Sequence, residues 1–260
     1  MTTPEPFHIN LEESFEHLRN APIVEAVVDI RCRATKQLAE ASLRSALEER
    51  LDGYGFLDSQ REFAGEMKVE KSGPVSQTVR DLGWRGIRVK SLDGKHIAQF
   101  NQNGFVFSRL QPYQDWGQLK KEAMRLWELF CELAAPAEVQ RVGLRFINRI
   151  GMPEESRRIS DFIHPAPKPP RDLPFPFSGF MHQDTLTIPG RPYALRIART
   201  IQSPKDQGTG FAIILDIDVF TTQPFPLDSD RLFWQLEEMR WLKNKAFFGS
   251  VTEKALEHFR

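Results

Sequence analysis

Two carboxylates, Asp216 and Asp218, stand two residues apart in the run FAIILDIDVF at 211–220. In a strand that spacing puts both on one face, and a pair of hard oxygen ligands there suits a divalent cation that also holds a substrate phosphate. Arg31, Arg145, Arg149 and Arg196 offer the complementary chemistry, planar guanidinium forks that grip an anionic group. Glu25 and Asp29 complete the set. The same residue types also pair with one another across neighbouring strands, at about 0.2–1 kcal/mol per pair. A solvated charge ladder is therefore the simpler reading of these eight positions, and a binding surface for an anionic group is the functional one. An Asp-x-Asp pair alone is a weak metal signal, so no metal site, cofactor or catalytic residue is assigned. Six histidines show no ligand spacing, and only His182 with Asp184 could polarise each other. Phosphate-binding glycine loops and serine elbows are absent.

The eight positions must be held by strands that are apolar on one side and charged on the other. The segment 23–32 sets Val24, Ala26, Val28 and Ile30 against Glu25, Asp29 and Arg31. In 141–149, Val142, Leu144 and Phe146 oppose Arg141, Arg145 and Arg149, and in 211–220 Phe211, Ile213, Leu215, Ile217 and Val219 oppose the two aspartates. Such alternation belongs to antiparallel sheets with one buried face and one wet face. Asn148 has core parity and needs a structural hydrogen-bond partner.

The remaining elements follow from periodicity and punctuation. Thr35 is read as the cap of a helix closed by Gly53, with further strands at 66–70 and 87–90 and a hairpin turning at Asn103 and Gly104. Asp115 caps a second helix that ends at Pro136. Strands at about 178–188, 192–201 and 210–220 follow a proline-dense loop at 164–177. A long helix starts at Asp228 or Ser229, is interrupted at Gly249, and is followed by a short helix with a Ser250/Glu253 capping box. The fold class is α+β, a curved antiparallel sheet backed by helices in a saddle or helix-grip arrangement. Residues 1–20 read as a loosely held arm with a short helix at 11–18, and 21–260 as one domain. Within it, 21–136 and 137–260 repeat the order strand, helix, three or four strands, helix.

Bulk composition narrows the function. The 260 residues carry 35 basic and 35 acidic side chains, so there is no overall field to draw in nucleic acid or an anionic membrane. No stretch has the roughly 20 apolar residues of a membrane span. The polar opening MTTPEPFHINLEESFEHL lacks a secretory pattern, and Cys32 and Cys131 read as small buried hydrophobes. A reducing cytoplasm is the expected compartment.

Three segments, APIVEAVVDIR, RVGLRFINRI and LDIDVF with the helical LFWQLEEMRWLKNKAFFGSVTEKALEHF, resemble a sporadically distributed, functionally uncharacterised family of prokaryotic proteins of similar length. The resemblance spans nearly the whole chain, implies a cytoplasmic prokaryotic protein, and singles out Glu25, Arg145, Asn148, Arg149 and Asp218. Relatives in this family carry a histidine in the C-terminal helix where this chain has Trp234 or Gln235, which argues against a catalytic role there. The expected function is a binding or protein-interaction module, rather than an enzyme, using the charged open face for a protein partner or small anionic ligand. The C-terminal helices, rich in aromatics, are expected to support a homodimer. The alternative is a metal-assisted enzyme acting on a phosphorylated or nucleotide substrate inside a charged β-tunnel, and nucleic-acid binding ranks third.

Overall fold

In the computed structural model, residues 5–68, 76–153, 158–173, 175, 177–203 and 210–260 are described. Ten strands form one antiparallel sheet that does not close, with three helices of more than two turns packed against it. The chain runs β1 (Ile23–Ala34), α1 (Glu40–Arg50), β2 (Tyr54–Lys68), β3 (Ser76–Ser91), β4 (His96–Asn101), β5 (Gly104–Leu110), α2 (Trp116–Ala134) and β6 (Pro136–Gly151). It continues with β7 (Met181–Thr187), β8 (Tyr193–Gln202), β9 (Ala212–Thr221), β10 (Phe225–Pro226), α3 (Ser229–Ser250) and α4 (Glu253–Leu256).

Across the sheet the order is β2-β3-β4-β5-β1-β6-β9-β8-β7, with β10 beside β6. The last long strand of each half returns to lie beside the first: β5 pairs β1, β9 pairs β6, and β1 and β6 pair antiparallel at the centre. Gly104 permits the tight join at β5, since a Cβ there would stand 2.3 Å from the Ile30 carbonyl oxygen. Because β1 and β6 are interior strands covered on one side, the apolar residues of their inward face are buried. Ala26, Val28, Ile30, Val142, Leu144 and Phe146 are all essentially inaccessible. Helix α3 lies across β6, β8 and β9, α2 against β5, and α1 against β2 and β3, so one hydrophobic core joins them.

Several boundaries differ from the sequence reading. Helix α1 starts at Glu40 with Ala39 as an uncapped N-cap, while the Thr35 hydroxyl donates to the Ala135 carbonyl at 2.6 Å. Helix α3 runs unbroken through Gly249 to Ser250, and α4 is capped by Thr252 rather than Ser250. Tertiary packing outweighs the local propensity of one glycine, worth only about 1 kcal/mol. The strand read at 66–70 belongs to the β2–β3 hairpin up to Lys68, and its last two residues lie outside the described residues. From residue 158 to 163 there is a single 3-10 turn, Ile159–Asp161, and 156–157 lie outside the described residues.

Residues 5–20 form no helix at 11–18 and are not loose. They are a strap: the Phe7 amide donates to the Pro189 carbonyl at 2.8 Å, Phe15 stacks on Phe248, and Ile9 and Leu18 join the core. Glu13 accepts from Trp241 Nε1 at 3.0 Å and from Lys245 Nζ at 2.5 Å. The strap's apolar residues gain more by docking on α3 than by forming an isolated helix, which at eight residues is marginal in water. No helix among the described residues is long and apolar enough to cross a membrane.

Candidate functional site

All eight sequence-predicted positions lie on the sheet face opposite the helices. Register explains why: Val27, Arg145, Asp218 and Arg196 form one row across β1, β6, β9 and β8, and Glu25, Ile147 and Asp216 form the next. Since side chains alternate with period two, the inward placement of Val28, Leu144, Ile217 and Ile197 sends these outward.

The structure gathers six of them, with Arg141, into two sets of ion pairs. Arg196 donates to Asp218 at 2.6 Å, and Arg141 bridges Asp29 at 2.8 Å and Asp218 at 3.3 Å. Asp218 is therefore gripped by two guanidinium groups, and its side chain is only 6% exposed. Arg145 sits directly opposite Asp218, yet it reaches diagonally to Asp216, Nε to Oδ1 at 2.8 Å, because Asp218 is already occupied. Arg31 stands 3.6 Å from Asp29 at the solvent edge. Glu25 lies beside this group and contributes charge to Arg145 without a direct ion pair.

Arg149 departs from the expectation that it contacts an acid. It donates to Gln202 Oε1 at 3.1 Å and approaches the Gly210 carbonyl at 3.5 Å. Its row on β9 and β8 presents Ile214 and Thr200, so it pairs with no carboxylate among the described residues. Asn148 points into the core as its parity requires, its amide nitrogen donating to the Leu215 carbonyl at 3.0 Å.

The electrostatics are those of a neutralised surface. Burial pushes the Asp29 carboxyl above its ordinary value, against the opposing pull of Arg141 and Arg31, and Asp218 adds to the rise. The hydrogen bonds that Arg145 donates to Asp216 hold its guanidinium firmly charged. Both members of the Asp216/Asp218 pair are thus engaged by arginines, and among the described residues no three of His, Cys, Asp or Glu converge as a metal cluster. His182 and Asp184 do meet, at 3.1 Å, but on the helix side of the edge strand, where Asp184 also accepts from Arg199 at 2.8 Å.

Sequence reasoning missed what orders the row. A Cβ on Gly143 would lie 2.7 Å from Arg141 Nη1, so the glycine leaves a trough in which the guanidinium lies flat along β6. Arg141 also stacks on Phe220, 4.8 Å from the ring centroid. The signal was present as Arg-x-Gly on one strand face opposite an aspartate. Around the ion pairs the same face carries half-buried Val27, Val106, Ile147, Ile214 and Phe220.

No family model matches the chain, and no curated protein matches it.

Proposed function

We propose that this chain is a binding protein whose open sheet face docks a partner protein. The observation that carries the reading is the composition of that face: half-buried aliphatic and aromatic side chains alternate with arginine–carboxylate pairs that are already fixed in place. Protein interfaces mix apolar area with oriented polar groups in this way, and arginine is enriched in them. Five arginines, Arg31, Arg141, Arg145, Arg149 and Arg196, face four acids, Glu25, Asp29, Asp216 and Asp218. That near balance disfavours nucleic acid, which demands excess positive charge. Metal-assisted phosphate chemistry in a tunnel has less support, since the sheet is open and its paired aspartates are bound by arginines. A homodimer through the C-terminal helices would use Phe233 and Trp234, the aromatics of α3 left 42% and 58% exposed.

The test is a charge reversal, Arg145→Glu with Arg196→Glu, checked for native far-ultraviolet and near-ultraviolet dichroism. Wild type and variant are used as bait in their natural host, and retained proteins are quantified. A stoichiometric partner held by wild type and reduced at least tenfold on the variant is expected. Indistinguishable eluates from two folded baits would refute the reading.

A further inference from the structure

Among the described residues three cations are buried on the helix side of the sheet, Arg109, Arg199 and Lys243, at 6%, 4% and 9% exposure. The two arginines have polar partners, although Arg199 Nε makes no hydrogen bond among the described residues. Arg109 donates to the Pro112 carbonyl at 3.0 Å and to Gln114 Oε1 at 3.3 Å, and Arg199 pairs with Asp184 at 2.8 Å. Lys243, on α3, has no hydrogen bond and no carboxylate within ion-pair distance among the described residues. Its Nζ faces the ring of Phe146 at 4.0 Å. A buried ammonium without an anion is costly.

Lys243 lines a cavity of about 220 Å³ between α3, β6, the segment leading into α2 and the N-terminal strap. That is room for several waters, or one small organic molecule. Arg240, one turn earlier on α3 and 3.5 Å from Glu237 Oε2, adds a second cation, a guanidinium, to the wall, while Phe146 and Tyr113 supply aromatic surface. Asn148 also lines it, and its side-chain oxygen accepts no hydrogen bond among the described residues. The two acids at the rim are committed elsewhere: Glu16 accepts from Arg260 at 2.7 Å, and Asp115 caps α2 at 2.8 Å. His17 borders the same space.

We propose that this cavity binds a small organic carboxylate, its anionic group against Lys243 and Arg240 and its apolar body against Phe146 and Tyr113. A carboxylate supplies the single missing counter-charge, and the aromatic walls favour an apolar body over a free inorganic dianion. Burial, with Arg240 second, draws the Lys243 amine down to about 7, so a bound anion would recharge it. Burial also pushes the Tyr113 phenol up, which keeps it a hydrogen-bond donor. The site lies on the other side of the sheet from the arginine row and stands or falls independently of it.

Acetate, benzoate and 4-phenylbutyrate serve as probes in calorimetry at pH 6, 7 and 8, each in two buffers of different ionisation enthalpy, with benzylamine as the cationic counterpart of benzoate. At least one carboxylate is expected to bind one to one. Proton uptake is expected to approach one per carboxylate at pH 8 and to fall towards zero at pH 6, while benzylamine gives no saturable heat. Lys243→Met, a volume-conserving change, should weaken binding at least tenfold, and Arg240→Gln, at an exposed position, by a smaller factor. Absence of saturable binding by all three carboxylates, undiminished affinity in folded Lys243→Met, or binding without proton uptake would each overturn the proposal.

Discussion

Lys243→Met should make the protein more stable, by an amount that grows as the pH falls from 10 towards 7. Wild type must bury an amine that the unfolded chain exposes, and the shift is from an ordinary 10.5 down to about 7. At about 1.36 kcal/mol per pH unit, that interval sets the penalty at pH 7 on the order of 4 kcal/mol, an upper limit because water in the cavity can solvate part of the charge. The sign follows from proton counting. Between pH 7 and 10.5 the unfolded chain binds a proton at this lysine that the folded chain has released, so wild-type stability rises with pH across that window and is flat below it. Above about 10.5 the penalty vanishes, and the variant keeps only the packing difference between the two side chains. Arg240, Asp115, Glu16, His17 and Tyr113 surround the site and are common to both proteins, so the difference between wild type and variant isolates the lysine. The assay is urea unfolding at pH 6, 7, 8, 9 and 10, comparing midpoints at constant slope. A variant less stable than wild type, or a stability difference that does not change between pH 7 and 10, would show that Lys243 is paired or hydrated in the native state.

Gly143→Ala should destabilise by about 1–3 kcal/mol through displacement of the Arg141 guanidinium from Asp29 and Asp218, and Arg141→Ala in the Gly143→Ala background should add less than it does alone; additive losses in urea would show that the trough does not matter. Trp241 is buried and hydrogen-bonded to Glu13 rather than outward-facing, so Trp241→Ala should cost about 3–5 kcal/mol and release the strap to proteolysis, whereas exposed Trp234→Ala should stay within about 0.5 kcal/mol and reduce self-association in sedimentation. Magnesium at a hundredfold excess over a real dissociation constant would add about 2.7 kcal/mol; with Asp216 and Asp218 held by arginines, no rise in melting temperature is expected, and a rise abolished by Asp216→Asn and Asp218→Asn would reverse that reading.

Where side-chain parity alone determines structure, the sequence was readable. The run Val142, Leu144, Phe146 against Arg141, Arg145, Arg149 forces β6 into one orientation, because a slip by one residue would bury the arginines. The same logic places Asp216 and Asp218 outward on β9 and Asn148 inward on β6. Parity is silent about diagonal contacts, which is why Arg145 binding Asp216 instead of Asp218, and Arg149 binding Gln202, emerge only when strand order and neighbours are known. Helix and strap boundaries were harder. Thr35 and Ser250 are both good caps in isolation, but each lies where a strand or a long helix gains more from tertiary packing than from stopping.

Lys243 shows how a buried charge can escape a reading that assigns polar residues to the surface. Leu232, Leu236 and Met239 mark the inward stripe of α3, and position 243 continues it four residues after Met239, so helical geometry alone places this lysine on the covered side. A lysine there looks like a stripe ending at Leu242. The structure shows Leu232, Leu236, Met239, Leu242 and Lys243 all buried together. Leucine or methionine would complete that stripe at lower free energy. Evolutionary drift tolerates most residues that leave a protein above its stability threshold, but a penalty on the order of 4 kcal/mol is a large fraction of the 5–15 kcal/mol a domain commonly has. Arg31, Arg141, Arg145 and Arg196 of the open face carry no such penalty, since an acid stands beside each of them. A lysine with no anion beside it among the described residues, lining a cavity where Arg199 has a carboxylate and Arg109 has hydrogen-bond acceptors of its own, is better explained by an anion that comes and goes than by packing.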